Sequence, residues 1–163
     1  MPDQFNPQIF LPSSRSVAFT KEAWKKSGKY PEHLNYCEDL IFAKNLKWFT
    51  NMEVEPQASV KWHIPTNIFQ YFHTIKNYAS GDIQARYTPH IYKIISTYLR
   101  YVAFMLWPPL FTAYLFYAIF KHRHYLNYNS ALSIIYLPLI QLTTDSAIIV
   151  GSLKAMVFSP QKP

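Results

Sequence analysis

A single cysteine, Cys37, stands in 163 residues, which excludes an internal disulfide framework and any multi-cysteine metal site. Glycine is nearly as scarce, with three in the whole chain. The formal net charge is +7, yet Lys and Arg form no stripe and no run of like charge, so a nucleic-acid partner is not expected. Basic residues beside apolar spans fit anionic lipid headgroups better. Met1 is followed by Pro2-Asp3-Gln4, with no basic start and no apolar core, so no signal peptide is expected. Internal repeats and low-complexity stretches are absent.

What remains is divided unevenly. Residues 1–100 hold eight of the nine acids and twelve of the sixteen Lys and Arg. Beyond them the chain is mostly apolar. Tyr101 to Phe120 is a run of twenty residues without a charge, long enough for a bilayer core, with Pro108-Pro109 at its centre to kink or break it. Residues 121–129 form a polar loop, and Ser130 to Leu153 is a second apolar run whose one ionisable residue is Asp145. The pattern predicts two membrane-associated helices over 101–157, or a re-entrant hairpin plus a span. The location expected from it is a multi-pass membrane protein with a cytoplasmic polar part. Asp145 should face a helix neighbour, the polar part or a wet pocket, because a carboxylate facing lipid is costly.

In the polar part, residues 1–14 contain Pro2, Pro7 and Pro12 and read as an irregular lead-in. Ser16 to Phe19 is a strand candidate; Thr20 caps a helix over Lys21–Ser27, stopped at Gly28. Glu38 and Asp39 open a second helix that ends near Asn51. Met52–Glu55 and Ala58–His63 read as short strands around Pro56, with Ala58, Val60 and Trp62 alternating with polar residues. A further helix runs from Thr66 to about Ser80, its Ile68, Phe72, Ile75 and Ala79 on one face, until Gly81-Asp82 interrupts it. Residues 91–100 belong to a connector.

The adjacent carboxylates Glu38 and Asp39 are the chemistry-bearing feature. Neighbours on a helix point about 100° apart, so only one can face a given substrate atom. Taken alone, such a pair suits the positive end of a helix dipole. The company it keeps is more specific: Leu11 to Trp24, then Gly28-Lys29-Tyr30-Pro31-Glu32, then Cys37-Glu38-Asp39-Leu40, then Pro56, Ala58 and Val60, Trp62-His63 and Tyr78-Ala79-Ser80-Gly81-Asp82. In that order these pieces resemble the C-terminal part of a membrane-associated family 2 glycosyltransferase, over about Pro12 to Arg86.

The resemblance implies an α/β chain: the acceptor-side part of an inverting GT-A fold over residues 1–90, its nucleotide-binding half missing, followed by the two membrane helices. It implies transfer of a sugar from a nucleotide-sugar donor to a glycan or lipid acceptor hydroxyl, with Asp39 as general base and Glu38 orienting the acceptor. It also implies substrate contacts from Arg15, Tyr78 and Gly81, and a divalent metal, Mg or Mn, to which His63 would be the one ligand in this chain. Two departures stand against it. No Asp-x-Asp occurs, and only eleven residues precede Pro12 where the donor-binding half should stand. Thr74 and Asn77 occupy the positions of the Gln and Arg carried by polymerising members, which disfavours processive synthesis; Lys76 or Arg86 could supply the missing cation to the leaving diphosphate, though a solvated surface charge is the commoner role for each. The alternative is a non-catalytic membrane module, either a gene remnant or a subunit completing a separately encoded N-terminal half. Either way this chain alone is expected to be inactive.

Overall fold

The structure, a computed structural model, describes residues 13–158 apart from 15, 54, 56, 128 and 129. Its contacts divide into two units between Ile64 and Pro65.

In the first unit, α1 (Lys21–Lys26) begins where the Thr20 hydroxyl accepts the Ala23 N–H at 3.1 Å. It stops at Gly28, whose φ of 86° lets Lys29 N–H reach back to the Trp24 carbonyl at 3.0 Å. Helix α2 (Glu38–Leu46) lays Phe42, Ala43 and Leu46 inward. Phe42 is the centre of this small core: Tyr30 stacks on it at 4.3 Å and Phe19 leans on it at 4.8 Å. Polar pins supplement the rings, as Ser27 Oγ donates to the Ala23 carbonyl at 2.8 Å and Asn45 Nδ2 donates to the Ser27 carbonyl at 3.3 Å.

The α/β expectation is overturned here. All regular elements among the described residues are helical, and none of the expected strands forms. A strand needs another backbone to satisfy its N–H and C=O groups. Residues 58–63 join no strand ladder among the described residues, and Ala58, Val60 and Trp62 are all exposed. Without a sheet, the GT-A assignment for residues 1–90 has no architectural basis.

The second unit is built around α6 (Ser130–Phe158). Against it pack α3 (Ile68–Gln84), α4 (Thr88–Leu106), α5 (Pro109–Lys121) and a 3-10 turn at Arg123–Asn127. Helix α3 is capped by Asn67, whose side chain accepts the Gln70 N–H at 2.9 Å. It runs through Gly81 and Asp82 rather than stopping there. The stop is Arg86 at φ 50°, with Tyr87 N–H returning to the Asp82 carbonyl at 3.0 Å. The connector expected over 91–100 is the middle of α4.

The expectation of two membrane helices is overturned as well. Trp107 is extended (φ −143°, ψ 88°), as the residue before a proline prefers, so α4 ends at Leu106 and α5 starts afresh at Pro109. Thirteen residues of α5 span about 20 Å, short of a bilayer core of about 30 Å. Among the described residues one helix, over Ala131–Phe158, is long and apolar enough to cross a membrane, with a mean hydropathy of 1.5. Only 22 % of its most apolar window is buried, unlike a core helix of a water-soluble domain. Membrane association stands on that helix, and the multi-pass arrangement is not supported.

Gly151 fixes how closely α3 and α6 approach, since a Cβ there would overlap the Lys76 carbonyl in the α3 backbone. Backbone cannot yield as a flexible side chain would. Gly151→Ala is therefore expected to cost about 1–3 kcal/mol of the second unit's stability. Thermal unfolding in detergent followed by circular dichroism measures this; an unchanged midpoint would contradict the packing.

Candidate functional site

The first turn of α2 is positioned by unusual backbone. Cys37, just before the helix, holds φ at 69°, a left-handed conformation that costs a residue with a side chain about 1–3 kcal/mol. Such strain turns the chain sharply from the loop after Pro31 into Glu38. Asp39 then folds back over the helix start. Its Oδ1 accepts the Leu40 N–H at 2.9 Å and its Oδ2 accepts the Ser14 N–H at 3.3 Å. A carboxylate offers about four acceptor positions, so among the described residues each oxygen is filled once and has one position left.

Glu38 is held differently. Its Oε2 is buried and meets no hydrogen-bond donor among the described residues. Neither carboxylate forms an ion pair with a described residue. The Tyr30 ring lies over Phe42, one helical turn beyond Glu38. Burial raises the Tyr30 pKa above 10.0, and the negative charges of Asp39 and then Glu38 raise it further. Two half-buried carboxylates with open acceptor positions beside a neutral phenol can bind a hydroxyl and take its proton.

Arg15 lies outside the described residues. His63 is exposed in an irregular stretch of the first unit. Among the described residues no three His, Cys, Asp or Glu side chains gather as a metal site, and no step is routed through a metal. Tyr78 and Gly81 both lie on α3 in the second unit, Tyr78 half-exposed and Gly81 buried. Lys76 extends its Nζ to within 3.3 Å of His73 Nδ1, and Arg86 terminates α3.

Two polar clusters are not visible as motifs in the sequence. Asp82 accepts from His90 Nδ1 at 2.8 Å, clasping the α3–α4 turn. The spacing of eight residues across a helix break gives no periodic signal. Asp145 was singled out from the sequence, but not its partners. It is 1 % exposed and accepts four hydrogen bonds: Arg100 Nη2 at 2.9 Å and Gln141 Nε2 at 3.3 Å on Oδ1, and the Tyr114 and Tyr101 hydroxyls at 2.6 and 3.3 Å on Oδ2. The Arg100 guanidinium also lies over the Tyr114 ring at 4.6 Å. Only Gln141, four residues before Asp145, could be read from helical spacing.

Comparison with protein-family models, curated proteins and solved structures gives no match to this chain.

The charges at the start of α2 can be read through Tyr30. Both carboxylates favour its neutral form, so removing one should lower its pKa towards the ordinary tyrosine value. In a carbon-13 tyrosine NMR titration, with Tyr30→Phe assigning the resonance, Tyr30 should titrate above pH 10.0 and Asp39→Asn should bring the midpoint down. An unmoved midpoint would place Asp39 away from the phenol.

Proposed function

We propose that this chain is a membrane-attached part of a glycosyltransferase, and that Asp39 serves as general base toward an acceptor hydroxyl. The supporting observation is the α2 turn itself: a strained entry at Cys37 and two carboxylates that, among the described residues, pair with no cation and keep acceptor positions unfilled. A sugar or lipid hydroxyl is a poor nucleophile at neutral pH. A carboxylate in hydrogen-bond reach takes its proton as the new bond forms at the anomeric carbon, and one displacement inverts that centre. Glu38, turned about 100° from Asp39, orients the acceptor. Attachment through α6 would hold this turn near acceptors in or on a membrane, with the first unit on the cytoplasmic side.

A base alone contributes about 10²–10⁴-fold. Binding the nucleotide, positioning the anomeric carbon and neutralising the departing diphosphate supply the larger share, and those tasks fall to residues beyond this chain. The helical character of the described residues favours a second reading, a module that anchors or completes another polypeptide without chemistry of its own.

One assay separates the two. Transfer from a radiolabelled nucleotide-sugar is measured for the chain alone and for the chain joined behind the nucleotide-binding half of a family 2 glycosyltransferase. The chain alone should transfer nothing at any pH. The joined protein should transfer, and Asp39→Asn should abolish transfer while leaving nucleotide binding intact, with Glu38→Gln the milder change. Full activity in Asp39→Asn would remove the base assignment; an inert joined protein that still binds nucleotide would favour the non-catalytic module.

A further inference from the structure

Near the N-terminal end of α6 the second unit encloses a groove of about 610 Å³. One wall is a single face of α6, from Leu132 to Thr144, a length of about 18 Å. Its middle is apolar, with Leu137 and Ile140. Its mouth is not: Lys121 and His122 enter from the end of α5, and Tyr125 from the 3-10 turn. Burial, then Lys121 and His124, push the His122 imidazole below its ordinary pKa, so Lys121 carries the fixed charge. Among the described residues no acid lines the groove. The polar groups at its far end already bond to protein, Tyr71 to Thr144 at 2.9 Å and Gln141 to Asp145 at 3.3 Å. A ligand that satisfies both ends of this shape is anionic at one end and hydrocarbon along the rest.

We propose that this groove binds a phosphate-bearing lipid, its headgroup on Lys121, His122 and Tyr125 and its acyl chain along Leu137 and Ile140. The proposal rests on α6 lying in a membrane. That placement brings Lys121 to headgroup level, because the apolar run begins at Ala131, just past the turn that carries the cations. It also accounts for the other faces of α6, where Ile134, Ile135 and Leu139 are exposed apolar side chains that lipid would cover. Charge attraction to a bilayer surface would by itself involve every nearby cation equally. The groove makes a narrower claim, because Arg123 does not line it and lies over the Phe120 ring at 4.8 Å instead.

The full chain, purified in detergent, is offered short-chain phosphatidic acid or phosphatidylcholine, and retained lipid is counted by native mass spectrometry. Phosphatidic acid should be retained in preference. Lys121→Gln should lower its retention by about tenfold, the loss of one charge-assisted contact. Ser133→Phe, which fills the groove from α6, should lower it too, whereas Arg123→Gln should leave it unchanged. Equal retention of the two lipids, or equal losses in Lys121→Gln and Arg123→Gln, would overturn the site. Displacement of the lipid by inorganic phosphate at matched concentration would reassign the mouth to a free phosphate and overturn the lipid. Alkaline carbonate treatment of the chain in vesicles tests the membrane placement separately. Release into the supernatant would overturn that placement and the groove with it; retention with any of the failures above would overturn the groove alone.

Discussion

One buried carboxylate dictates how the helices of the second unit meet. Asp145 sits on an otherwise apolar helix, and removing a charge from water costs several kcal/mol unless every acceptor position is filled. Here all four are, by side chains from α4, α5 and α6 itself. Filling them forces Arg100 and Tyr101 near the end of α4, and Tyr114 on α5, to converge on one point. The break that Pro108-Pro109 imposes after Leu106 makes this convergence possible, since a continuous helix from Thr88 to Lys121 would carry Tyr114 about 20 Å beyond Arg100 along its axis. Helix α3 is then held by a different device, the missing side chain of Gly151. Polar satisfaction and close backbone approach therefore do in this unit what a large apolar core does in water-soluble domains, leaving α6 free to show apolar side chains outward.

The first unit is organised by another economy. Its core is little more than Phe42 with Ala23, Leu46 and the rings of Tyr30 and Trp24. So small a core fixes one local geometry, the pairing of α1 with α2, and with it the left-handed turn at Cys37 that presents Glu38 and Asp39. The strained turn and the orphaned Glu38 oxygen are costs that packing does not explain, and such costs cluster where a site must engage something else.

Local rules carried the sequence reading as far as local rules reach. Thr20 as cap and Gly28 as stop bound α1, and the twin prolines break the first apolar run, because each acts on backbone within a few residues. The strands failed because alternation at Ala58, Val60 and Trp62 describes a surface that could pair, whereas pairing needs a second backbone. Gly81 looked like a helix stop, yet a glycine inside a helix costs only about 1 kcal/mol, and the stop fell to Arg86, a residue with no preference for left-handed backbone. Asp145 was conspicuous as a lone acid in an apolar run. Its partner Arg100, 45 residues earlier, belonged by spacing to nothing in particular, so the clasp emerges only in three dimensions. In the candidate site, the carboxylate pair was legible as a motif, while the Cys37 strain and the Tyr30 neighbour were not, since both depend on how the loop after Pro31 returns.

The arrangement of the second unit depends most on whether Asp145 and Arg100 act as one interaction. A double-mutant cycle on unfolding in detergent measures this directly, using Arg100→Met, Asp145→Leu and both together. Breaking one partner of a buried pair typically costs about 3–5 kcal/mol, much of it from the charge left behind, and replacing both removes that charge. The double variant should therefore be more stable than the Arg100→Met variant alone, with a coupling above about 1.5 kcal/mol. Additive losses would mean that the two side chains are independent, and the clasp would not be what arranges the helices.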